Sequence, residues 1–214
     1  MSHAARIQLA RTGATIDRDP AALAAARREF DTTHALRFPA FIDAALLAEV
    51  QAQVAAGAFH TKVHKSSGVE SCMSPNAAVW LLRFLIVSDD VLRAVETITG
   101  VDDLRSFFGR VYRFDPGTDH HHDWHDDLGD GRALGFSLNL SPVAFAGGAL
   151  QLRERDPERI TATIFNTTPG DAVLFRLANN VEHQVQRITG TVPRTTFAGW
   201  FRGGPDAPAM PRTS

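Results

Sequence analysis

The sequence predicts an α+β protein in which helices pack on one side of a jelly-roll-like barrel or sandwich. Up to about residue 100, apolar side chains recur at helical spacing between capping residues. From about residue 101, the chain divides into seven or eight short segments rich in β-branched and aromatic residues, separated by Gly, Pro or Asn. This change of period predicts one domain, residues 1–204, with a helical part at about 1–100 and a β core at about 101–204.

Four helices are expected in the N-terminal part, because a capping residue precedes each periodic segment. Gly57 and Gly100 are expected to end the second and the fourth helix. The residues expected to cap or open the four helices are Asp19-Pro20, Asp43, Ser74-Pro75 and Ser88.

The polar segment from Thr61 to Ser74 has no periodic pattern and is expected to be a loop. It carries the cationic or titratable side chains of Lys62, His64 and Lys65, so it could close over a site. A plain surface connector is the equally good alternative.

Seven segments after residue 101 have the composition of strands. They are RVYRF (110–114), RALGFSLNLS (132–141), GGALQLRE (147–154), RITATIF (159–165), DAVLFRL (171–177), VEHQVQRI (181–188) and TTFAGWF (195–201). The Pro-rich residues 205–214 are expected to form a flexible tail.

Composition restricts the class of protein. The chain has 22 Lys and Arg residues against 24 Asp and Glu residues. It therefore has no excess of positive charge that would attract nucleic acid. No apolar segment is long enough for a signal peptide or a membrane span. The single cysteine, Cys72, suits a reducing compartment. We therefore expect a cytoplasmic protein with no nucleic-acid and no membrane partner.

Residues 120–127, HHHDWHDD, concentrate four histidines and three aspartates. Non-haem Fe(II) sites use two His and one carboxylate, and a His-x-Asp pair supplies two of these ligands from one segment. Two such pairs are present, His121 with Asp123 and His125 with Asp127, and His183 is the only histidine further along the chain. A solvated polar turn is the alternative for the histidine run.

Arg194 follows His183 by eleven residues, on a predicted strand where Thr196, Ala198 and Trp200 share its face. A buried arginine needs an anionic partner, and its planar guanidinium can donate two parallel hydrogen bonds to a carboxylate. An exposed arginine on an edge strand is the alternative.

The segments HDDLGDGR, AGGALQL, PGDAVLF, EHQVQ and PRTTFAGW, in this order, resemble the Fe(II)- and 2-oxoglutarate-dependent dioxygenase superfamily, and within it the prolyl-4-hydroxylase-like group. The resemblance covers roughly residues 107–202. It implies a double-stranded β-helix, the jelly-roll fold that cupins share. It also implies Fe(II), 2-oxoglutarate and O2 as cofactors and cosubstrates, with ascorbate as a candidate stimulant.

The resemblance also implies which residues form the site. The gap to LGDGRALGFSLNLS favours His125 and Asp127, with His183, as iron ligands over His121 and Asp123. The expected 2-oxoglutarate residues are Arg194, Asn139 (where similar enzymes have a tyrosine), Thr196 and Tyr112, and the expected pocket wall is Ser137, Leu150 and Trp200.

The implied activity is hydroxylation of an aliphatic C–H bond. The substrate would be a prolyl or other residue of a protein or peptide, or a small molecule. A carboxylate ligand at Asp127 favours hydroxylation, because similar halogenases have a small residue there. The alternative is a cupin-like metal-binding protein without oxygenase activity, which would not need a carboxylate clamp at Arg194.

Overall fold

The computed structural model describes residues 6–64 and 68–204, and this part of the chain contains four α-helices and thirteen β-strands. The helices are α1 (Pro20–Thr33), α2 (Ala44–Ala55), α3 (Ala77–Ile86) and α4 (Asp89–Thr99). Before the β core the strands are β1 (Ile7–Ala10), β2 (Gly13–Ile16), β3 (Ala35–Phe38), β4 (Phe59–His64) and β5 (Gly68–Met73). The core strands are β6 (Leu104–Phe114), β7 (His121–His125), β8 (Arg132–Asn139), β9 (Leu150–Arg155), β10 (Glu158–Ile164), β11 (Ala172–Arg176), β12 (Val181–Val185) and β13 (Arg194–Gly203).

The four predicted helices are confirmed, with local differences at their ends. Asp19 accepts hydrogen bonds from the first backbone N–H groups of α1, and Asp43 does the same for α2. Helix α3 is capped by Asn76 rather than by the predicted Ser74-Pro75 pair, because the Asn76 side chain reaches the backbone N–H of the third helical residue. Gly100 ends α4 in the left-handed conformation, which glycine adopts without steric cost.

The core strands form a double-stranded β-helix, which confirms the expected fold. In the large sheet the strand order is β10-β9-β12-β7-β5-β6-β13-β8-β11-β3, and every pairing is antiparallel. Strands β6, β13, β8 and β11 form one wall, and β7, β12, β9 and β10 form the other. Strand β5 pairs with both β7 and β6 and so joins the two walls on one side of the cavity.

The expectation that the segment from Thr61 to Ser74 is a loop is wrong. Strands β4 and β5 form an antiparallel hairpin in which Phe59 lies opposite Met73 and His64 opposite Gly68. The sequence pattern is weak because Thr61 interrupts the one partly apolar face of β4, and the opposite face carries His60, Lys62 and His64. Lys65 lies outside the described residues.

Two further expectations need correction. The N-terminal part is not purely helical, because it also supplies β1 to β5. The alternative of a solvated polar turn is also wrong for His121–His125, because these residues form β7 between β5 and β12. The predicted tail, residues 205–214, lies outside the described residues.

The apolar core has two parts. The larger one joins α1 to α4 to one wall, and its largest fully buried side chains include Phe30, Phe41, Leu82, Phe107, Phe197 and Phe201. The second lies between the two walls and contains Phe114, Leu150, Leu152, Val173, Phe175 and Val185. The helices therefore cover one face of the double sheet, as expected, and leave a cavity between the walls. Among the described helices, none has the length and apolar character needed to cross a membrane.

Candidate metal centre

Two histidines and one aspartate converge at one end of the cavity. His183 on β12 lies directly opposite His125 on β7, and the two ring centroids are 4.2 Å apart. The Oδ2 atom of Asp127 is 3.6 Å from Nε2 of His125 and 3.4 Å from Nε2 of His183. The three donor atoms lie within 4.8 Å of one another. The structure thus brings together the three residues that the resemblance implied as ligands.

A register shift in β7 determines which histidines face the cavity. Val185 pairs with His122, but His183, two residues earlier on β12, pairs with His125, three residues further along β7. Such a bulge changes which side of the sheet the following side chains face. His122 and His125 therefore both line the cavity, although they lie three positions apart along β7.

Asp127 reaches the same point from a turn. Strand β7 ends at His125, and Asp127 has a φ angle of 58°, in the left-handed region. The alternation of side chains along an extended strand therefore does not explain why Asp127 and His125 converge. The left-handed backbone directs the carboxylate towards His125 and His183. Aspartate tolerates this conformation better than most residues.

Hydrogen bonds hold two of these three side chains in place. Nδ1 of His125 lies 2.6 Å from the carbonyl oxygen of Asp123 and can donate to it, which leaves Nε2 free to bind a cation. The indole Nε1–H of Trp200 donates to Oδ2 of Asp127 at 2.9 Å, and the guanidinium of Arg132 stacks over that indole at 3.9 Å. Trp200 thus orients the Asp127 carboxylate as well as lining the wall, a contact that the sequence did not indicate.

The charges suit a cation. Burial alone would raise the pKa of Asp127, but the adjacent His125 and His183 imidazoles hold it well below its usual range. Burial lowers the pKa of His183, whereas at His125 the effect of burial is outweighed by Asp127, which raises the pKa of that imidazole. An ionised carboxylate beside a neutral imidazole is the protonation state that a divalent metal requires of its ligands.

The other His-x-Asp pair lies outside the cavity. Nδ1 of His121 is 2.7 Å from the carbonyl oxygen of Asp119, and its Nε2 is 3.4 Å from Oδ1 of Asp123. The Asp123 side chain is 70% exposed. Among the residues that the structure describes, no third His, Cys or acidic side chain joins this pair in a potential metal cluster.

Arg194 lines the same cavity and is buried. Burial lowers the pKa of its guanidinium to about 10, so the group remains charged at neutral pH. No carboxylate of residues 6–64 or 68–204 forms an ion pair with it, and its nearest aromatic contact is Phe114, 5.2 Å from the ring centroid. The hydroxyl oxygens of Ser137 and Thr196, also on the cavity wall, are buried without a hydrogen-bond partner among the described residues. A buried cation beside two unpaired hydroxyls fits a carboxylate ligand.

The remaining predicted site residues divide between the cavity and its surroundings. Tyr112, Leu150 and Trp200 line the cavity. Burial raises the pKa of Tyr112, so its phenol remains a hydrogen-bond donor.

The placement predicted for Asn139 is wrong. Asn139 lies outside the cavity lining at the last residue of β8. Its amide donates to the carbonyl oxygen of Asn166 at 3.0 Å, and its Oδ1 accepts from the backbone N–H of Ser141 at 2.8 Å. The side chain stabilises the bend after the strand, and Ser137, two residues earlier, faces the cavity instead.

Glu70 on β5 is a cavity residue that the sequence analysis did not identify. Its side chain is 2% exposed and lies between His64 and His122. Burial alone would raise the pKa of this carboxyl, but His122 and His64 lower it to about 2. The only signal in the sequence was the periodic spacing of polar residues in a segment interpreted as a loop.

A double-stranded β-helix with two His and one carboxylate at its cavity is the arrangement of non-haem Fe(II) oxygenases. Residues 109–202 match the model of the 2OG-Fe(II) oxygenase superfamily. Over these residues the chain is similar to this superfamily, whose members use Fe(II), 2-oxoglutarate and O2.

Solved structures share the fold. A prolyl-4-hydroxylase from Pseudomonas putida aligns with a TM-score of 0.64 and 22% identity over 85% of this chain and 99% of that one. A prolyl hydroxylase from Trichoplax adhaerens, in complex with a hypoxia inducible factor peptide fragment, aligns with a TM-score of 0.63 and 15% identity over 85% and 89% of the two chains. The non-haem α-ketoglutarate-dependent epimerase SnoN from nogalamycin biosynthesis aligns with a TM-score of 0.66 and 17% identity over 86% and 84%. No curated protein sequence matches the chain.

Proposed function

We propose that the protein is a 2-oxoglutarate-dependent hydroxylase whose iron is held by His125, Asp127 and His183. The observation that carries the proposal is the convergence of these three donors beside a buried arginine that has no carboxylate partner among the described residues. A metal-binding protein without oxygenase activity would have no use for that arginine. We propose that residues 1–204 act as one catalytic domain.

The buried polar groups would bind 2-oxoglutarate. Arg194 would pair with the carboxylate far from the iron, because its fork can donate two parallel hydrogen bonds. The Ser137 and Thr196 hydroxyls and the Tyr112 phenol are further hydrogen-bond donors that line the cavity. Leu150 lines the wall beside them and helps to exclude water.

When bound, iron supplies the redox chemistry that converts 2-oxoglutarate and O2 to succinate and CO2 while one oxygen atom enters a C–H bond. The chain's own residues provide geometry and a dry cavity. Asp123 fixes the ring of His125 through its carbonyl oxygen, and Trp200 fixes the carboxylate of Asp127. The apolar side chains of Phe136 and Phe175 line the cavity and limit the access of water.

Hydroxylation is the reaction type we favour, since Asp127 provides a carboxylate where similar halogenases have a small residue. The fold alone does not fix the reaction, because an epimerase shares it. Product formed in the presence of excess chloride or bromide is expected to gain oxygen only. Mass spectrometry of the product tests this, and a halogenated product would contradict both the hydroxylase assignment and the role of Asp127.

The substrate we propose is a prolyl or other residue of a peptide, or a small molecule. Two of the similar folds belong to prolyl hydroxylases, which makes prolyl peptides the first substrates to assay. Ascorbate belongs in the assay as a candidate stimulant.

The central experiment requires no knowledge of the substrate. Purified protein with Fe(II) and 2-oxoglutarate under air is expected to form succinate slowly, and the Asp127→Ala variant is expected to form none. Asp123→Ala is the matched control, because Asp123 is an exposed carboxylate on the same segment. The hydroxylase proposal fails if iron-loaded wild type forms no succinate with or without candidate peptides, or if Asp127→Ala equals wild type.

A further inference from the structure

The hairpin β4–β5 brings a second set of two histidines and one carboxylate to the cavity. Gly68 on β5 lies opposite His64 on β4 and opposite His122 on β7, so the two histidines flank it on neighbouring strands. Glu70 follows Gly68 by two residues and therefore shares its face. A Cβ atom at Gly68 would lie 1.9 Å from the carbonyl oxygen of His121, so only glycine allows this close approach of β5 to β7. The three strands thus place His64, Glu70 and His122 side by side.

The nitrogen and oxygen atoms of this set lie close together. Nε2 of His64 is 2.6 Å from Oε1 of Glu70, and Nε2 of His122 is 3.2 Å from Oε2 of the same carboxylate. Despite that short distance, Nε2 of His122 is buried and makes no hydrogen bond within the described part of the chain. His64 thus forms a hydrogen bond with Glu70, whereas Nε2 of His122 lies beside the same carboxylate without an aligned partner.

The set is distinct from the iron triad but lies beside it. All three donor atoms fall within 4.8 Å of one another, and no residue is common to the two sets. The ring of His122 contacts both His64 and His125, with centroid distances of 5.3 and 5.7 Å. Both sets line one cavity, and the Glu70 side chain, at 2% exposed, needs a compensating positive partner there.

We propose that His64, Glu70 and His122 form a second binding site for a divalent first-row transition ion, such as Co²⁺, Zn²⁺ or Fe²⁺. Two imidazoles and one carboxylate are donors that these ions accept, whereas Mg²⁺ and Ca²⁺ prefer oxygen ligands alone. Three protein ligands leave coordination positions open towards the cavity. An ion there would offset the charge of Glu70 in the space that must also admit an anionic cosubstrate.

Anaerobic equilibrium dialysis of the tag-free, full-length protein against Co²⁺, followed by metal analysis, tests the proposal without an activity measurement. Wild type is expected to bind two Co²⁺ ions per chain. Glu70→Gln and Asp127→Ala are each expected to retain one, and the double variant none. Loss of a direct ligand is expected to weaken its site by more than about 100-fold, since outer-shell partners alone cost about 10–100-fold.

His64→Ala provides a second test at the less buried end of the cluster, where a folding defect is least expected. His60→Ala is its matched control, because His60 is an exposed histidine on the same strand β4 and belongs to neither set. The proposal is overturned if wild type binds a single Co²⁺ that Asp127→Ala removes. It is also overturned if two ions remain bound in both Glu70→Gln and His64→Ala, which would identify the cluster as an ordinary His–Glu–His hydrogen-bonded group. Retention of one ion by Asp127→Ala that Glu70→Gln removes would support the second site even if no succinate were formed.

Discussion

Two His-x-Asp pairs stand four residues apart in one short segment, and they have different surroundings. His125 and Asp127 face the cavity, where His183 lies across the ladder from His125. His121 and Asp123 have no such third partner among the described residues, and Asp123 is largely exposed. The same three-residue pattern thus occurs once inside the protein and once on its surface.

The difference follows from the bulge in β7. A regular strand would place residues 121, 123 and 125 on one face. The register shift against β12 changes this alternation, so that His122 joins His125 inside and His121 is left outside. A ligand motif therefore defines a site only when the neighbouring strand supplies the third ligand and burial excludes water.

The largest difference between the two pairs is expected in iron binding. His125→Ala, Asp127→Ala or His183→Ala should each abolish Fe(II) binding at physiological metal levels, because each removes one of three converging donors. Anaerobic Fe(II) titration measures this. Wild-type affinity in any of the three variants would remove that residue from the ligand set.

The comparison extends to two arginines on β13, one inside the cavity and one outside it. Arg194→Leu would leave a bound 2-oxoglutarate carboxylate buried and unpaired, and breaking a buried ion pair from one side costs on the order of 3–5 kcal/mol. At about 1.4 kcal/mol per tenfold, cosubstrate affinity should fall by about two to three and a half decades. Arg194→Lys should recover part of the loss, since an ammonium cannot make the bidentate pair.

Titration of iron-loaded protein with 2-oxoglutarate is the measurement for these variants. Arg202→Leu on the same strand is the control, because Arg202 is outside the cavity lining and should leave cosubstrate affinity unchanged. Fe(II) affinity should be the same in every arginine variant. Equal 2-oxoglutarate affinity in wild type, Arg194→Leu and Arg194→Lys would contradict the proposed clamp.

A smaller effect is expected from the two tryptophans nearest the ligands. Trp200→Phe removes the hydrogen bond to Asp127 but keeps an aromatic ring, so Fe(II) affinity should fall by about 10–100-fold. Trp124→Phe is the control, because the Trp124 ring stacks against Arg153, with the guanidinium 4.3 Å from the ring centroid. Isothermal titration under anaerobic conditions compares the two, and equal losses would show that the indole N–H does not orient the carboxylate.

The smallest effect is expected at the outer pair. His121→Ala and Asp123→Ala should each change Fe(II) affinity by less than about tenfold, below the usual cost of an outer-shell partner. If His121→Ala lost iron and His125→Ala kept it, His121 and Asp123 rather than His125 and Asp127 would be the pair that binds iron.

Much of the fold was accessible from the sequence because periodicity and caps act locally. Asp19, Asp43 and Gly100 mark helix ends through their own side chains or backbone freedom, and the core strands alternate clearly. The hairpin β4–β5 was missed because one of its faces is polar and lines the cavity with His64 and Glu70. On the other face the apolar residues are interrupted by Thr61 and Ser71.

The site was predicted less completely than the fold, because its details depend on contacts between distant segments. Residue spacing alone left both His-x-Asp pairs open, since the bulge in β7 exists only against β12. Asn139 was misplaced because a bend at the end of β8 redirects its side chain to Asn166. The hydrogen bond from Trp200 to Asp127 joins residues 73 positions apart, so no local sequence pattern predicts it.

The left-handed backbone at Asp127 has a consequence for how this protein could change its chemistry in evolution. At a φ of 58°, glycine is the least strained residue, and a glycine there would also remove the carboxylate ligand. Replacement of Asp127 by glycine would therefore open a coordination position while relaxing the chain, whereas Asp127→Ala opens it without that relief. We expect Asp127→Gly to unfold at a higher temperature than Asp127→Ala, and thermal denaturation of the two metal-free variants measures the difference. The backbone conformation that directs this ligand towards its partners thus also makes its loss structurally easy to accommodate, and a new reactivity could arise here without first destabilising the fold.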